Sequence, residues 1–345
     1  MAKQAGALMA SEIAEQPEVL ARLLDREPQI VATAREIAER SPRFVLLAAR
    51  GTSDHAALYA KYLIEVLLGL PTGLASPSTL TAYGARPDLG GVLVIGVSQS
   101  GGSPDLLESV SVARECGALT LSVTNNPESE MAKAANWHVD VVAGKERAVA
   151  ATKTYSAELM ALWLLINGWS GRDSEQARSL PGLAEGLVQR RDEVAAIATR
   201  YRFTDRLVTT GRGYSYPTAR EAALKLMETA YVAAHAFSGA DLLHGPLAMI
   251  DRDHPVVAVV PDGVGGEAMR PVLERLKERG ADVAGFVGAD SIDLTTVGYL
   301  LPDQPEELAP IIDIIPLQQL ALEMSVARGY DPDQPRGLSK VTQTW

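Results

Sequence analysis

Cysteine is all but missing from this chain: Cys116 stands alone among 345 residues, so an internal disulfide is excluded. Histidine is scarce as well, and the five copies are scattered at no metal-ligand spacing, so no metal site is expected. Cys116 reads as a small packing residue. No apolar run reaches about 18 residues, and the opening "MAKQAGALMASEIAEQPEVL" has no signal-peptide core, so membrane association is not expected and a cytoplasmic location is. Basic residues are outnumbered, 32 Lys and Arg against 43 Asp and Glu, and the net charge of -11 disfavours a nucleic-acid surface. A small anionic ligand stays compatible, because local backbone amides and one or two cations hold such a group. No Gly-Lys-Ser/Thr occurs, and "GRGYSY" at Gly211–Tyr216 has Tyr216 where a dinucleotide loop needs its third glycine. No cofactor is expected.

What is present is a globular composition, 47% hydrophobic and 22% charged, in a length that suits two domains of roughly 150 residues. The chain repeats itself. "RFVLLAARGTSDHAALYAKYLIEVL" from Arg43 recurs as "RLVTTGRGYSYPTAREAALKLMETA" from Arg206, and the pair Arg50-Gly51 reappears as Arg212-Gly213, 162 residues on. "GVLVIGVSQSGG" from Gly91 and "HPVVAVVPDGVGG" from His254 are 163 apart, and "ALTLSVTNN" from Ala118 and "DVAGFVGAD" from Asp282 are 164 apart. A near-constant offset across three apolar runs argues duplication. Short apolar runs alternating with helical stretches indicate βαβ units and parallel sheets, giving an α/β chain with two doubly wound domains. Residues 1–40 read as an N-terminal helical segment, 41–171 as the first domain, 172–200 as one connecting helix, 201–330 as the second domain and 331–345 as a tail. "IIDIIPLQQLALEMSVARG" reads as a long apolar helix buried in the core or against another chain.

Ligands of open parallel sheets sit at the carboxyl ends of strands. "LVIGVSQSGGSPDLLE", residues 93–108, has a strand ending at Val97, a loop of Ser98, Gln99, Ser100, Gly101, Gly102 and Ser103, and Pro104 in the first helical turn. Glycines for close approach, hydroxyl donors and a helix N-terminus suit a phosphate. The same loop also reads as a serine-capped helix entry. In "REAALKLMETAYV", Lys225 and Glu228 share a helix face at a spacing that fits an exposed ion pair equally well. His244 in "GADLLHGPLAM" reads as a turn residue or a catalyst, and Lys340 in "DPDQPRGLSKVTQTW" as a solvated tail lysine or a reactive one.

Taken together, "ARGTS", "SQSGGSPD", "VAATKTY", "GRGYSYPTAREAALKLMETAY", "LLHGPLAMI" and "DQPRGLSKVT", in this order and over nearly the whole chain, resemble the sugar isomerase (SIS) domain family. The likeness is to the isomerase half of glucosamine-6-phosphate synthase and, most of all, to stand-alone SIS-type deaminases. That resemblance implies two tandem flavodoxin-like domains, each with a five-stranded parallel sheet, and a homodimer with its active site near the interface. The implied substrate is a hexosamine 6-phosphate or hexose 6-phosphate. Carried over by position, Ser98, Gln99, Ser100 and Ser103 match the phosphate loop, and Thr52, Ser53, Val149 and Ala151 match substrate-contacting positions. Glu228 matches the base that moves a proton between C1 and C2, and His244 the ring-opening histidine supplied by the neighbouring subunit. Lys340 matches the tail lysine proposed to form a Schiff base, and Lys225 a helix lysine of the same site. Gly102-Ser103 stands where the synthase has Glu-Thr, and Ala151 where it has serine. With Cys116 the lone cysteine, the resemblance implies no glutaminase chemistry in this chain. The expectation is an isomerising glucosamine-6-phosphate deaminase, with a simple hexose-phosphate isomerase, a deaminase of a related amino sugar, or a sugar-phosphate sensor as alternatives.

Overall fold

Among the described residues the apolar runs fold as ten strands, whose pairing follows the sequence repeat. A computed structural model describes residues 5–252 and 254–340. The first sheet holds β1 (Phe44–Ala48), β2 (Thr72–Leu74), β3 (Val92–Ser98), β4 (Leu119–Thr124) and β5 (Trp137–Asp140), in the order β2-β1-β3-β4-β5. The second holds β6 (Arg206–Gly211), β7 (Ala233–Ser238), β8 (Val256–Val260), β9 (Val283–Val287) and β10 (Val297–Leu300), in the order β10-β9-β8-β6-β7. Read from the other edge, the second order is the first one repeated, strand for strand. Every pairing is parallel, in registers such as Leu47 with Ile95, Ser98 with Thr124, and Val259 with Phe286. Parallel strands covered on both faces carry apolar side chains without alternation, and β8 and β9 are buried at every position. The chain is thus an α/β protein of two tandem flavodoxin-like sheets with flanking helices.

Contacts divide the chain into two units that are not continuous in sequence. Glu18–Glu146, Lys153–Ser179 and, of the described tail, Ser339 and Lys340 form the unit of the first sheet. The described residues up to Pro17, Arg147–Thr152 and those of Leu180–Leu338 form the unit of the second. Within the second unit, the tail and the N-terminus are tied together. Asp333 accepts the backbone N–H groups of Leu8 and Met9 at 2.8 and 2.9 Å, and Asp331 accepts that of Gly6 at 2.9 Å. The helix Ala7–Ala14 has no side-chain cap of its own, so these carboxylates satisfy its opening amides.

One sequence expectation changes and one is narrowed. The single connecting helix is a short 3-10 turn, Glu175–Ser179, followed by two helices, Leu180–Gln189 and Arg191–Tyr201. They part at Arg190, whose ψ of 23° leaves the helical region and whose guanidinium lies over the Tyr299 ring at 4.1 Å. The apolar helix Ala309–Ala327 is buried nearly all round, against the helices Ser215–Ala230 and Arg191–Tyr201 of its own unit. Its surface therefore gives no argument for a partner chain.

Candidate active site

In the strand order 2-1-3-4-5 the connections leave β1 and β3 in opposite directions, which opens a crevice at their carboxyl ends. Two turns of the first unit meet there. After β1, Gly51 takes φ 56° and starts the helix Thr52–Leu63. Arg50 in that turn reaches the turn after β3, where its Nη2 lies 2.8 Å and its Nε 2.9 Å from Oδ2 of the buried Asp105. Thr52 is half-buried at the helix start, whereas the hydroxyl of the buried Ser53 is donated inward to Glu158 at 2.9 Å.

The turn after β3 runs through Ser98 to Ser103 into the helix Pro104–Glu115. Ser98 Oγ accepts the N–H of Gly101, and Ser100 Oγ that of Gly102, both at 3.2 Å. A hydroxyl that accepts from its own loop keeps its O–H as a donor for something else. Ser103 occupies the N-cap position with extended backbone, yet its side chain makes no capping bond. The serine-capped helix entry therefore does not account for Ser103. Gly101 has φ 61°, and a Cβ there would run into Ser129, so this position needs glycine. Gly102 has neither constraint, since the nearest atom to a Cβ would be Ser100 Oγ at 3.6 Å.

Gln99 turns inward. Its Nε2 donates to Glu146 Oε2 at 2.5 Å and to Thr154 Oγ1 at 3.3 Å. Glu146 Oε2 also receives Lys340 Nζ at 3.3 Å, so the tail lysine and the serine loop meet on one buried carboxylate. Sequence reasoning passed over Glu146, because its neighbours Lys145 and Arg147 make it look like one more charge on a solvated loop.

In the second unit, the helix Ser215–Ala230 carries Glu221, Lys225 and Glu228 on one face. Lys225 is wholly buried, 3.3 Å from Glu221 Oε1 and 2.5 Å from Glu228 Oε2. Burial pulls the Lys225 ammonium toward neutrality, but the two carboxylates outweigh it and hold the amine well above the usual lysine range. Glu221 is fully buried while the Glu228 side chain keeps 23% of its exposure, so Glu228 is the carboxylate of this trio that solvent reaches. Glu221 is the second residue the sequence reading missed. Its spacing to Lys225 repeats a common helix ion pair, and only burial marks it out.

The segment carrying Val149 and Ala151, both half-buried, is strapped to the same unit at its two ends. The Glu12 carboxylate accepts the N–H groups of Arg147 and Ala148, and Gln318 Nε2 donates to Thr152 O at 3.1 Å. His244 is exposed, just past the short helix Gly239–Leu243, with its backbone N–H on Asp241 O at 3.0 Å. Among the described residues, no group of three or more His, Cys, Asp or Glu is placed to hold a metal ion, and no helix is long and apolar enough to cross a membrane.

The turn after β8, duplicate of the serine turn, is already filled. Glu306 Oε2 accepts the N–H of Val264 at 3.0 Å and Oε1 that of Gly265 at 2.7 Å, at the start of the helix Val264–Glu278.

Comparison with known proteins matches the SIS domain family twice, over residues 40–168 and 202–328. The chain belongs to the SIS domain family. It is similar to the glutamine–fructose-6-phosphate aminotransferase (isomerizing) of Gloeobacter violaceus, 34% identical over 356 residues, which cover 96% of this chain and 58% of that protein. The chain thus spans little more than half the length of the curated relatives it matches. Among solved structures it is similar to the C-terminal domain of glucosamine-fructose-6-phosphate aminotransferase from Francisella tularensis, with a TM-score of 0.86 at 27% identity, covering 97% of this chain and 100% of that one. Glucosamine-6-phosphate deaminase from Thermotoga maritima shares the fold, with a TM-score of 0.80 at 22% identity over 98% of this chain and 100% of its own. Two SIS repeats account for the fold and for the motifs.

Proposed function

We propose that this protein is an isomerising glucosamine-6-phosphate deaminase. The observation that carries the proposal is Lys225 buried between Glu221 and Glu228, with Glu228 the more exposed carboxylate. The serine turn supplies hydroxyl and helix N-terminal donors for the 6-phosphate through Ser98, Ser100 and Ser103. Thr52, Ser53, Val149 and Ala151 are assigned to sugar contacts by their match to the family's motifs, with the Ser53 O–H donated to Glu158 and its oxygen left as an acceptor.

Ring opening exposes the C1 aldehyde, and the exposure of His244 supports a role in this step at the site of a second copy in a homodimer. Glu228 then takes the C2 proton and returns it to C1 through an enediol-type intermediate, which needs one base reaching both carbons on one face. The product has a C1 hydroxyl and a C2 imine. Water adds to C2, the C–N bond breaks, and ammonia leaves fructose 6-phosphate. Atoms balance as amino sugar plus water giving ketose plus ammonia, with no external oxidant or reductant. Lys225, held charged, supports the developing oxyanion, and Lys340 serves as a transient imine partner or a fixed positive charge.

Purified protein mixed with glucosamine 6-phosphate is expected to release ammonia and fructose 6-phosphate in equal amounts. Interconversion of aldose and ketose phosphates without ammonia would make it a simple isomerase. A ligand-induced rise in Tm with no product would make it a sensor.

A further inference from the structure

We propose that Glu146 is a positioning residue that sets both Gln99 and Lys340, and that Gln99 consequently reads a sugar hydroxyl and not the phosphate. The proposal rests on the sugar-phosphate reading of the serine turn and the tail lysine. Glu146 comes from the loop after β5, and its side chain is completely buried. A carboxylate so placed is costly unless its oxygens are paired with donors. Three separate segments of one unit supply them: Gln99 Nε2 at 2.5 Å from the serine turn, Thr154 N at 3.3 Å from the first turn of the helix Lys153–Trp169, and Lys340 Nζ at 3.3 Å from the tail. Charge-assisted hydrogen bonds of this kind hold geometry better than neutral ones.

The consequence for Gln99 is chemical. A primary amide has two N–H donors and one carbonyl acceptor. Here both donors are directed inward, one to Glu146 and one to Thr154 Oγ1. What the side chain offers a ligand is therefore its carbonyl oxygen. That oxygen repels a phosphate and accepts from a hydroxyl. Ser98, Ser100 and Ser103 would carry the phosphate, while Gln99 selects for a sugar hydroxyl. Because the same carboxylate oxygen holds Lys340, the tail lysine and the sugar-reading amide share one anchor, and loss of Glu146 takes that anchor from both.

The full-length chain is tested as Glu146→Gln, which keeps the volume, and as Glu146→Ala. Both are expected to lower kcat for the sugar phosphate by about a hundredfold, the scale of a misplacement near 1 Å, with KM changed by no more than about threefold. Binding of inorganic phosphate by calorimetry stays within about twofold, because the serines are untouched. Acylation of Lys340 by an amine-specific reagent, followed by mass spectrometry, becomes several-fold faster than in wild type. In a third variant, Gln99→Met, inorganic phosphate binding is likewise retained while kcat/KM for the sugar phosphate falls. An unchanged kcat in Glu146→Gln, or loss of inorganic phosphate binding in Gln99→Met, would overturn the proposal. So would a parallel decline of kcat, KM, phosphate affinity and Tm, which is the mark of a merely structural residue. The acylation arm needs neither sugar nor turnover. If wild type neither binds phosphate nor turns over, the sugar-phosphate reading fails, and the Lys340 rates alone still decide the anchor: equal rates in wild type and Glu146→Gln refute it.

Discussion

The turns after β3 and β8 occupy the same place in two copies of one fold, and they treat an anion in opposite ways. After β3 the loop bends its own amides of Gly101 and Gly102 onto serine oxygens, which leaves hydroxyl donors around an open helix start. After β8 the amides of Val264 and Gly265 are taken by the carboxylate of Glu306, from the same unit. Both turns keep the glycines and the helix dipole that make such a place attractive to negative charge. One copy presents it and the other consumes it. Duplication preserved the cradle, and a single side chain some 40 residues downstream decides whether a ligand has use of it.

The largest expected effect tests the proton transfer proposed for the second copy. Glu228→Gln keeps the helix and a polar group beside Lys225 but has no base, so turnover is expected to fall by at least about a hundredfold, the range for a lost general base. A stopped assay for ammonia and ketose checks it, and normal turnover would remove Glu228 from the mechanism. Next, Ser103→Ala removes a donor from the open cradle. Affinity for inorganic phosphate is expected to drop about tenfold, as for one hydrogen bond to a charged group, while Tm stays put. A loss of stability without a loss of affinity would return Ser103 to a plain cap.

Buried aspartates contrast in the same way. Asp105 in the first unit is paired with Arg50, whereas Asp313 in the second is buried with Gln304 Nε2 at 3.4 Å, and burial pushes its carboxyl well above the usual aspartate range. The native state then keeps a proton that the unfolded chain releases. Stability from this group is greatest below the unfolded-state value and drains away as pH rises toward the folded one. In Asp313→Asn that loss disappears, so its urea midpoint, measured from pH 5 to pH 8, is expected to gain on wild type as pH increases. A smaller effect belongs to Glu306→Ala, which empties the filled cradle. It is expected to cost about 1 kcal/mol, the usual value of a lost helix cap, with phosphate binding at the serine turn unchanged.

The sheet order was legible because three offsets of 162 to 164 residues can only repeat a topology, and the serine turn because its residue types are unusual in one place. What escaped were single carboxylates. Glu146 and Glu306 have no spacing signature, since the partners of Glu146 lie 8, 47 and 194 residues away and those of Glu306 41 and 42, while the spacing of Glu221 to Lys225 is that of any helix ion pair. The break at Arg190 also escaped, since residues 174–200 have helical spacing throughout and the junction contains no glycine or proline. The apolar helix Ala309–Ala327 showed the need for burial, but nothing in its own letters said that its own unit would supply the cover.

The smallest expected effect lies inside the serine turn, between two neighbouring glycines. Gly101 sits at φ 61° with Ser129 against the place of a Cβ, so Gly101→Ala incurs both left-handed strain of about 1–2 kcal/mol and a clash. Gly102 has an ordinary φ, is exposed, and faces Ser100 Oγ at 3.6 Å across otherwise open space. Gly102→Ala is therefore expected to leave thermal stability within about 0.5 kcal/mol of wild type, the range of an uninvolved surface position. Nothing in the backbone demands glycine there. The lack of a side chain at 102 then concerns the space beside the phosphate, and a Gly102→Glu variant addresses that directly. Its fold should match wild type in Tm, while its carboxylate, unlike that of Glu306 in the other turn, would stand beside the open cradle and weaken inorganic phosphate binding. Equal phosphate affinity in wild type and Gly102→Glu would mean that a side chain at position 102 points away from the phosphate.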